Sequence, residues 1–523
     1  RLSNPFIMGI IYGQRQLNSR LILAWGRFGK IAASLSILFQ DDADAQSFYL
    51  KTKQAIKKAQ ARTGKMLMTR TSIFDWTIYQ NLFSAPEMEA VFDEAGTIAS
   101  WVEVERAVAR AQAKIGIAPN AFAKEIDNKL RAEKIDLQRL QASTKKIGRP
   151  IVGLIEQLKE QVDSEAREWV HYGITTYDTM DTGRSLQLRD GLILIKASLA
   201  RFQAQLIQLA KAHRNTLMIG RTNNLHAQPM TFGTKLATWI EECLRHQERL
   251  DALEARALVI QFGGAVGTLA SLGNKGLAFR DAVAEELGLH SVTSNWHNAR
   301  DGIVETGQVL GLICASLARI GQGVNMLEST EIGELAEMGD IGRGKSTTMA
   351  HKNNPRAAEF TEAVARLGRH RSTGLIEVMG QDHDRCGGTW IAEWALVPEV
   401  FLLTSGALSW ANELAERLQV NEGRMRANID LTNGLALSEC YTHALAEHIP
   451  KTQARALIEA AVLIVRETGT SLPETLKSMQ EVTDILSAKQ IQALSLPENY
   501  VGVGPETLDN VLALADEKGK RES

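Results

Sequence analysis

Three short stretches of this chain concentrate the residue types that perform acid–base and anion-binding chemistry. The first is His171-Tyr172-Gly173-Ile174-Thr175-Thr176-Tyr177-Asp178. The second runs Gly220-Arg221-Thr222-Asn223-Asn224-Leu225-His226-Ala227-Gln228-Pro229. The third runs Gly342-Arg343-Gly344-Lys345-Ser346-Thr347-Thr348-Met349-Ala350-His351-Lys352-Asn353-Asn354-Pro355. Adjacent threonines just ahead of a helix present two hydroxyls beside first-turn amides that have no intrahelical partner, a combination that suits an anion. Plain N-capping explains the same residues as well, and His171 beside them tilts the balance toward chemistry. The second stretch gathers a cation, three side-chain amides and an imidazole, although a single histidine such as His226 is as readily structural. The third combines glycines with hydroxyls, Lys352 and Asn354, and Pro355 falls where a helix beginning at Arg356 tolerates it. Such a loop is either a lid that excludes water or a solvated connection.

The third stretch also contains a decoy. Gly339 to Ser346 spells the phosphate-loop pattern G-x-x-x-x-G-K-[ST]. That pattern works only when a strand delivers the loop and a helix leaves from its Lys-Ser end. Residues 331–338 read as helix, and two asparagines and Pro355 follow within ten residues of Ser346. A nucleotide triphosphatase is therefore set aside.

Long helices must position these stretches, and the expected fold is all-α. Between Pro150 and Pro450 the only prolines are Pro229, Pro355 and Pro398, and proline-free runs rich in Ala, Leu, Glu, Arg and Gln favour helix. Leu188, Leu192, Ile195, Leu199, Phe202, Leu206 and Leu209 alternate spacings of four and three, and so do Thr306, Leu310, Ile313, Leu317, Ile320, Val324 and Leu327. These are bundle seams. Further helices are expected over 235–258 and 356–379, while strand-like alternation is scarce. Apolar residues off the seams, Val309 and Leu312, point to additional burial between subunits. The expected organisation is a basic leader over 1–67, a helical N-terminal domain over 68–180, a long-helix bundle over 181–420 and a smaller helical C-terminal domain over 421–523.

Composition restricts the function classes. Hydrophobic residues make up 44% and charged residues 23% of 523, ordinary for a globular protein. A net charge of −2 gives no reason to expect a nucleic-acid partner. The balance is uneven, since residues 1–67 hold eleven basic residues against three acidic ones. That segment reads as a start assigned too far upstream, or as a targeting arm. Its apolar stretch over 21–40 is interrupted by Arg27 and Lys30, no other run of spanning length is expected, and no membrane is expected. Cys243, Cys314, Cys386 and Cys440 are widely spaced, which argues against a disulfide framework or a zinc site and fits a reducing, cytoplasmic setting.

Taken in order, the three stretches resemble the signature regions of the fumarase/aspartase superfamily. The third is similar to its G-S-S-x-M-P-x-K-x-N-P: Met349, Lys352, Asn354 and Pro355 match, and Ser346 lies six residues before the lysine, where the family's catalytic serine lies. The first resembles H-x-G-x-T-S-x-D through His171, Gly173, Thr175 and Asp178. The second resembles G-R-T-x-x-x-H-A-x-P through Arg221, Thr222 and His226. Asp382 to Trp394, Arg424 to Asp430 and Trp296 to Asp301 are similar to the 3-carboxy-cis,cis-muconate cycloisomerase branch, with adenylosuccinate lyases next. The likeness extends from about Met68 to near the C-terminus. Departures are Lys345 for glycine, Thr347 for serine, Ala350 for proline, and Asn223 where many relatives carry histidine.

The resemblance implies a homotetramer with a twenty-helix core, each active site drawing the three stretches from three subunits around a small polycarboxylate. It implies Ser346 as the base and His226 or His171 as proton donor. Lys352 and Asn354 would hold the carboxylate that becomes an enediolate, Thr175, Thr176, Arg221 and Thr222 would bind another carboxylate, and Arg385 would add an anion contact. No metal or cofactor is expected. The altered loop and the Asn223-Asn224 pair favour elimination from a substituted succinate, releasing fumarate. The alternative is lactonising cycloisomerisation of 3-carboxy-cis,cis-muconate, and a remote one is a non-enzymatic structural homologue.

Overall fold

The computed structural model describes residues 72–163, 165–339 and 342–522, so the leader over 1–67 and its apolar stretch lie outside the described residues. The chain divides into a unit of residues 1–80 and a unit of residues 81–523. Within the first, Ile73–Asp75 and Thr77–Tyr79 form single 3-10 turns. All that follows concerns the second.

Five long helices form its centre: α1 (Thr176–Ala212), α2 (Phe232–Ala257), α3 (Asp301–Leu327), α4 (Arg356–Gly374) and α5 (Gly388–Arg417). Both seams point inward. Leu188 to Leu206 along α1, and Thr306 to Leu327 along α3, are buried at each seam position. Helix α3 packs on α4, α4 on α5, and α1 on both α2 and α5. The α3–α4 contact is close because glycine lines it. A Cβ added to Gly311 would lie 2.2 Å from the Ser372 hydroxyl, and one added to Gly321 would lie 2.9 Å from the Ala358 carbonyl oxygen. Shorter helices flank the bundle. Helices Glu94–Lys114 and Pro150–Glu160 share a core with Tyr177, Met180 and Trp390, and Lys451–Thr468 packs in a separate C-terminal core with Tyr441 and Leu472.

Four expectations need correction. Residues 331–338 are not helical: after a turn, strand β3 (Leu335–Glu337) pairs antiparallel with β4 (Leu418–Val420). The alternation explains it, since Leu335 and Glu337 are buried while Ala336 faces out. The second stretch is a hairpin, β1 (Leu217–Thr222) against β2 (Leu225–Thr231). Val309 is already buried within its own chain at 7% exposure, whereas Leu312 is exposed at 48%. Finally, α3 and α5 are each long and apolar enough to cross a membrane; 67% and 56% of their most apolar windows are buried in this chain, which accounts for that apolarity as core packing. The expected boundary near 180 falls inside α1, and that near 420 falls at the end of β4.

Candidate active site

The first stretch is built around Asp178, which is fully buried. Its carboxylate accepts from the Thr175 amide (2.9 Å) and from the amides of Gly263 (2.9 Å) and Gly264 (3.1 Å). Burial pushes its pKa up even against these donors. Asp178 therefore ties the start of α1 to the 263–264 loop and leaves Thr175 and Thr176 half-buried at the helix entry. Gly173 sits at φ +79°, and a Cβ there would strike Leu272 at 2.5 Å, so the turn into α1 requires glycine.

His171, itself at φ +62°, directs Nδ1 to Glu105 Oε1 at 2.8 Å, and the Thr179 hydroxyl donates to the same oxygen at 2.9 Å. Burial works against the imidazolium, yet the Glu105 carboxylate and its hydrogen bond prevail, and His171 titrates above its ordinary value. A carboxylate partner of this kind favours the protonated imidazole, the form a general acid needs. Because its folded pKa is raised, the pair's contribution to stability is complete below the unfolded value of about 6.5 and is lost as pH rises through the folded pKa. Glu105→Gln is expected to move the His171 titration, followed by NMR of the ring protons, to or below the ordinary histidine value. An unchanged midpoint would show that Glu105 does not govern this proton.

Arg385 is brought to the same place. Its guanidinium lies 4.4 Å from the centre of the Tyr177 ring, whose hydroxyl donates to the Cys386 carbonyl at 2.7 Å and whose plane stacks on Trp390. Nη1 of Arg385 is buried without a partner among the described residues. His297, completely buried, places Nε2 3.7 Å from Asp178 and has neither ring nitrogen hydrogen-bonded. The structure thus gathers His171, Thr175, Thr176 and Arg385 with two residues that sequence reasoning had not assigned to a site, Glu105 and His297. A signal for Glu105 existed: a carboxylate among Val102, Val104 and Val108 on an otherwise apolar helix face.

The second stretch turns at Asn223 (φ +51°) and Asn224 (φ +64°). A two-residue hairpin loop with positive φ at both positions is a type I′ turn, which asparagine tolerates well. Thr222 is exposed beside it. Across the strands Arg221 faces His226. The Arg221 guanidinium grips Glu334 with two bonds, 2.9 and 2.6 Å, and Asn428 donates to the same buried carboxylate at 2.7 Å. His226 has its Nδ1 buried without a partner. Burial first, then the charge of Arg221, depresses its pKa. Lys235, in the first turn of α2, is also held below the lysine range by burial and by Arg221, a cation the motif reading passed over. Arg424 and Asn428, from the cycloisomerase-like run 424–430, serve this region structurally. Arg424 Nη2 donates to the Glu331 carbonyl (2.7 Å) and Asn428 Nδ2 to that of Ile332 (2.9 Å).

The third stretch folds on itself between two anchors. Glu337 caps α4 by accepting from the amides of Ala357 (2.9 Å) and Ala358 (2.7 Å), and Arg343 pairs with Glu413 at 2.5 Å. The Gly344 carbonyl accepts from the Asn354 amide (2.9 Å) and from its Nδ2 (2.6 Å). Asn354 therefore braces the loop in this conformation. Lys352 projects from the surface. The Ser346 hydroxyl oxygen accepts from the amides of Met349 (3.0 Å) and Thr348 (3.3 Å). Two amides aimed at one oxygen stabilise negative charge there and so lower the cost of deprotonating a serine. No helix leaves Ser346, and the phosphate-loop reading fails on that ground.

The stretches are not together within one chain. The first opens α1 and the second follows its other end, so 37 residues of helix, about 55 Å, separate them. The second and third share an end, joined through Arg221 and Glu334.

The fold is a bundle of long helices whose ends carry hydroxyls and amides suited to anions. Residues 82–367 match the family described as lyase, and the chain belongs to that family, within the fumarase/aspartase superfamily. It is 38% identical to the 3-carboxy-cis,cis-muconate cycloisomerase of Pseudomonas aeruginosa over 83% of this chain and 96% of the relative. It is equally 38% identical to the nitrosuccinate lyase of Streptomyces davaonensis, over 82% of this chain and 93% of that protein. Among solved structures, the 3-carboxy-cis,cis-muconate lactonizing enzyme of Pseudomonas putida superposes with a TM-score of 0.78 at 36% identity, covering 83% of this chain and 98% of its own.

Proposed function

We propose that this enzyme eliminates a group from a substituted succinate, with Ser346 as the base, and releases fumarate. The observation that carries this reading is the pair of amides converging on the Ser346 hydroxyl. Deprotonated, Ser346 takes the proton from the carbon next to a carboxylate. The charge moves onto that carboxylate as an enediolate, where Lys352, loop amides and, once released from Gly344, Asn354 stabilise it. Collapse of the enediolate forms the double bond and expels the leaving group, which receives a proton from His171 or His226. Of the two, His171 is the better supplied, because Glu105 favours its protonated form while burial and Arg221 favour the neutral form of His226. Thr175, Thr176, Thr222 and Arg385 hold the second carboxylate. Arg221 contributes its charge while remaining on Glu334.

About 55 Å of helix between the first and second stretches means that one copy cannot complete this site. A homotetramer in which three subunits each supply a stretch resolves the separation, and the exposed Leu312 on α3 offers apolar surface for it. We place the enzyme in the cytoplasm and assign it no metal or cofactor.

The cycloisomerase reading keeps support from the relatives of that name and from the 296–301 and 382–394 runs. The altered loop, with Lys345, Thr347 and Ala350, and the polar asparagine pair at 223–224 favour elimination. Fumarate formation from N-, S- and nitro-substituted succinates, assayed beside consumption of 3-carboxy-cis,cis-muconate, decides between them. Fumarate from a succinate with the muconate untouched is expected; the reverse pattern assigns the cycloisomerase.

A further inference from the structure

Away from the three stretches, a cavity of about 170 Å³ lies between α1 and α5. It adjoins a cleft of about 830 Å³, with which it shares Phe92, Thr97, Trp101 and Pro150. Pro398, inside α5 and on the cavity wall, cannot supply the amide that would bond the Trp394 carbonyl one turn earlier. Indole rings of Trp101, Trp390 and Trp394 and the ring of Phe92 line it, and Arg184 reaches it from α1 with its guanidinium 5.8 Å from the Phe92 ring centre.

Two lining atoms are buried without a partner, Arg184 Nη1 and Trp394 Nε1. Both are donors. The carboxylates nearby are directed elsewhere: Asp181 and Glu393 each accept two bonds from Arg300, and Asp181 also accepts from Trp390. Charge points the same way. Asp181 and Glu393 face Arg300, Arg184 and also Arg149, whose guanidinium lies 5.3 and 5.5 Å from the Trp390 and Trp394 ring centres. Arg149 adds a third, half-buried cation at the edge of this cluster. Buried donors without acceptors among the described residues call for an acceptor group, which a carboxylate supplies on Arg184, while indole walls call for a flat ring. An apolar cavity of about 150 Å³ holds a benzene ring.

We propose that this cavity is a ligand site for a single-ring aromatic monocarboxylate, its carboxylate on Arg184 and Trp394 and its ring among Trp101, Trp390 and Phe92. Trp390 also stacks on Tyr177 of the first stretch, so an occupant touches a residue that fixes Arg385.

The probe is 4-bromobenzoate, soaked into crystals of the full chain and located by bromine anomalous scattering, with affinity measured in solution by calorimetry. The expected result is bromine between Trp101 and Trp394, and an affinity weakened by about tenfold or more in Arg184→Met. Trp101→Ala, which leaves the guanidinium in place, is expected to weaken it as well and covers the case in which Arg184→Met does not fold. Acetate, having the charge but no ring, is expected not to displace the probe. Bromine only at the 171–178 or 342–355 stretches, ordered water alone in the cavity, binding at crystal concentration only, or wild-type affinity in a folded variant would each overturn the proposal.

Discussion

Ser346→Ala is expected to lower turnover by about a thousandfold while leaving the KM for substrate and the assembly close to those of the wild type. The hydroxyl makes no bond that the fold depends on. Its oxygen accepts from Thr348 and Met349 in a largely exposed loop whose anchors lie elsewhere, at Glu337, Arg343 and Asn354. Alanine removes the group that those amides stabilise when it gives up its proton. An effect made only in the transition state lowers kcat and kcat/KM together. A variant with near-normal kcat would remove serine from the chemistry, and a variant with raised KM alone would make it a binding residue.

The largest stability effect is expected at Arg300. This guanidinium, 1% exposed, bonds Asp181 at 2.9 and 3.1 Å and Glu393 at 2.8 and 2.5 Å, both carboxylates being nearly as deeply buried. It lies 4.6 Å from the Trp296 ring centre and so joins α1, the start of α3 and α5 at one point. Truncation to leucine strands two facing carboxylates in the interior, and breaking a buried pair in this way costs about 3–5 kcal/mol. Burial already holds Glu393 above the usual carboxylate range. Partial recovery is therefore expected on acidification, when a proton replaces the lost cation. Urea unfolding at neutral and mildly acidic pH reads both effects. A midpoint equal to that of the wild type would mean that the cluster relaxes or hydrates at no cost.

Much of this molecule is legible in the sequence because long helices write their burial into a regular period. The alternating spacing from Leu188 to Leu206 and from Thr306 to Leu327 marked the faces that turn inward. The loop at 342–355 stood out by composition. What the sequence hid was short or paired at long range. The β1–β2 hairpin has too few residues for alternation to declare itself, and its one local clue was the asparagine pair at a position requiring positive φ. Residues 335–337 read as helix because a three-residue strand is defined only by its partner, more than eighty residues away. Lys235 lies outside the motifs, Glu105 showed only as a carboxylate among valines, and His297 sat unassigned within the 296–301 run; packing reveals that each is held beside charged or unpartnered groups. Arg221 shows the converse, since its motif suggested a free anion binder and the fold has given it Glu334.

The account rests on stretches from different subunits meeting at one substrate, and mixing two inactive variants tests that directly. Ser346→Ala and His171→Asn subunits are combined under conditions where labelled subunits demonstrably exchange. Mixed assemblies then contain some sites in which the serine and the histidine are both native, and activity well above either parent is predicted. If exchange is complete and activity stays at the level of the parents, the two residues do not meet across subunits at one reaction centre.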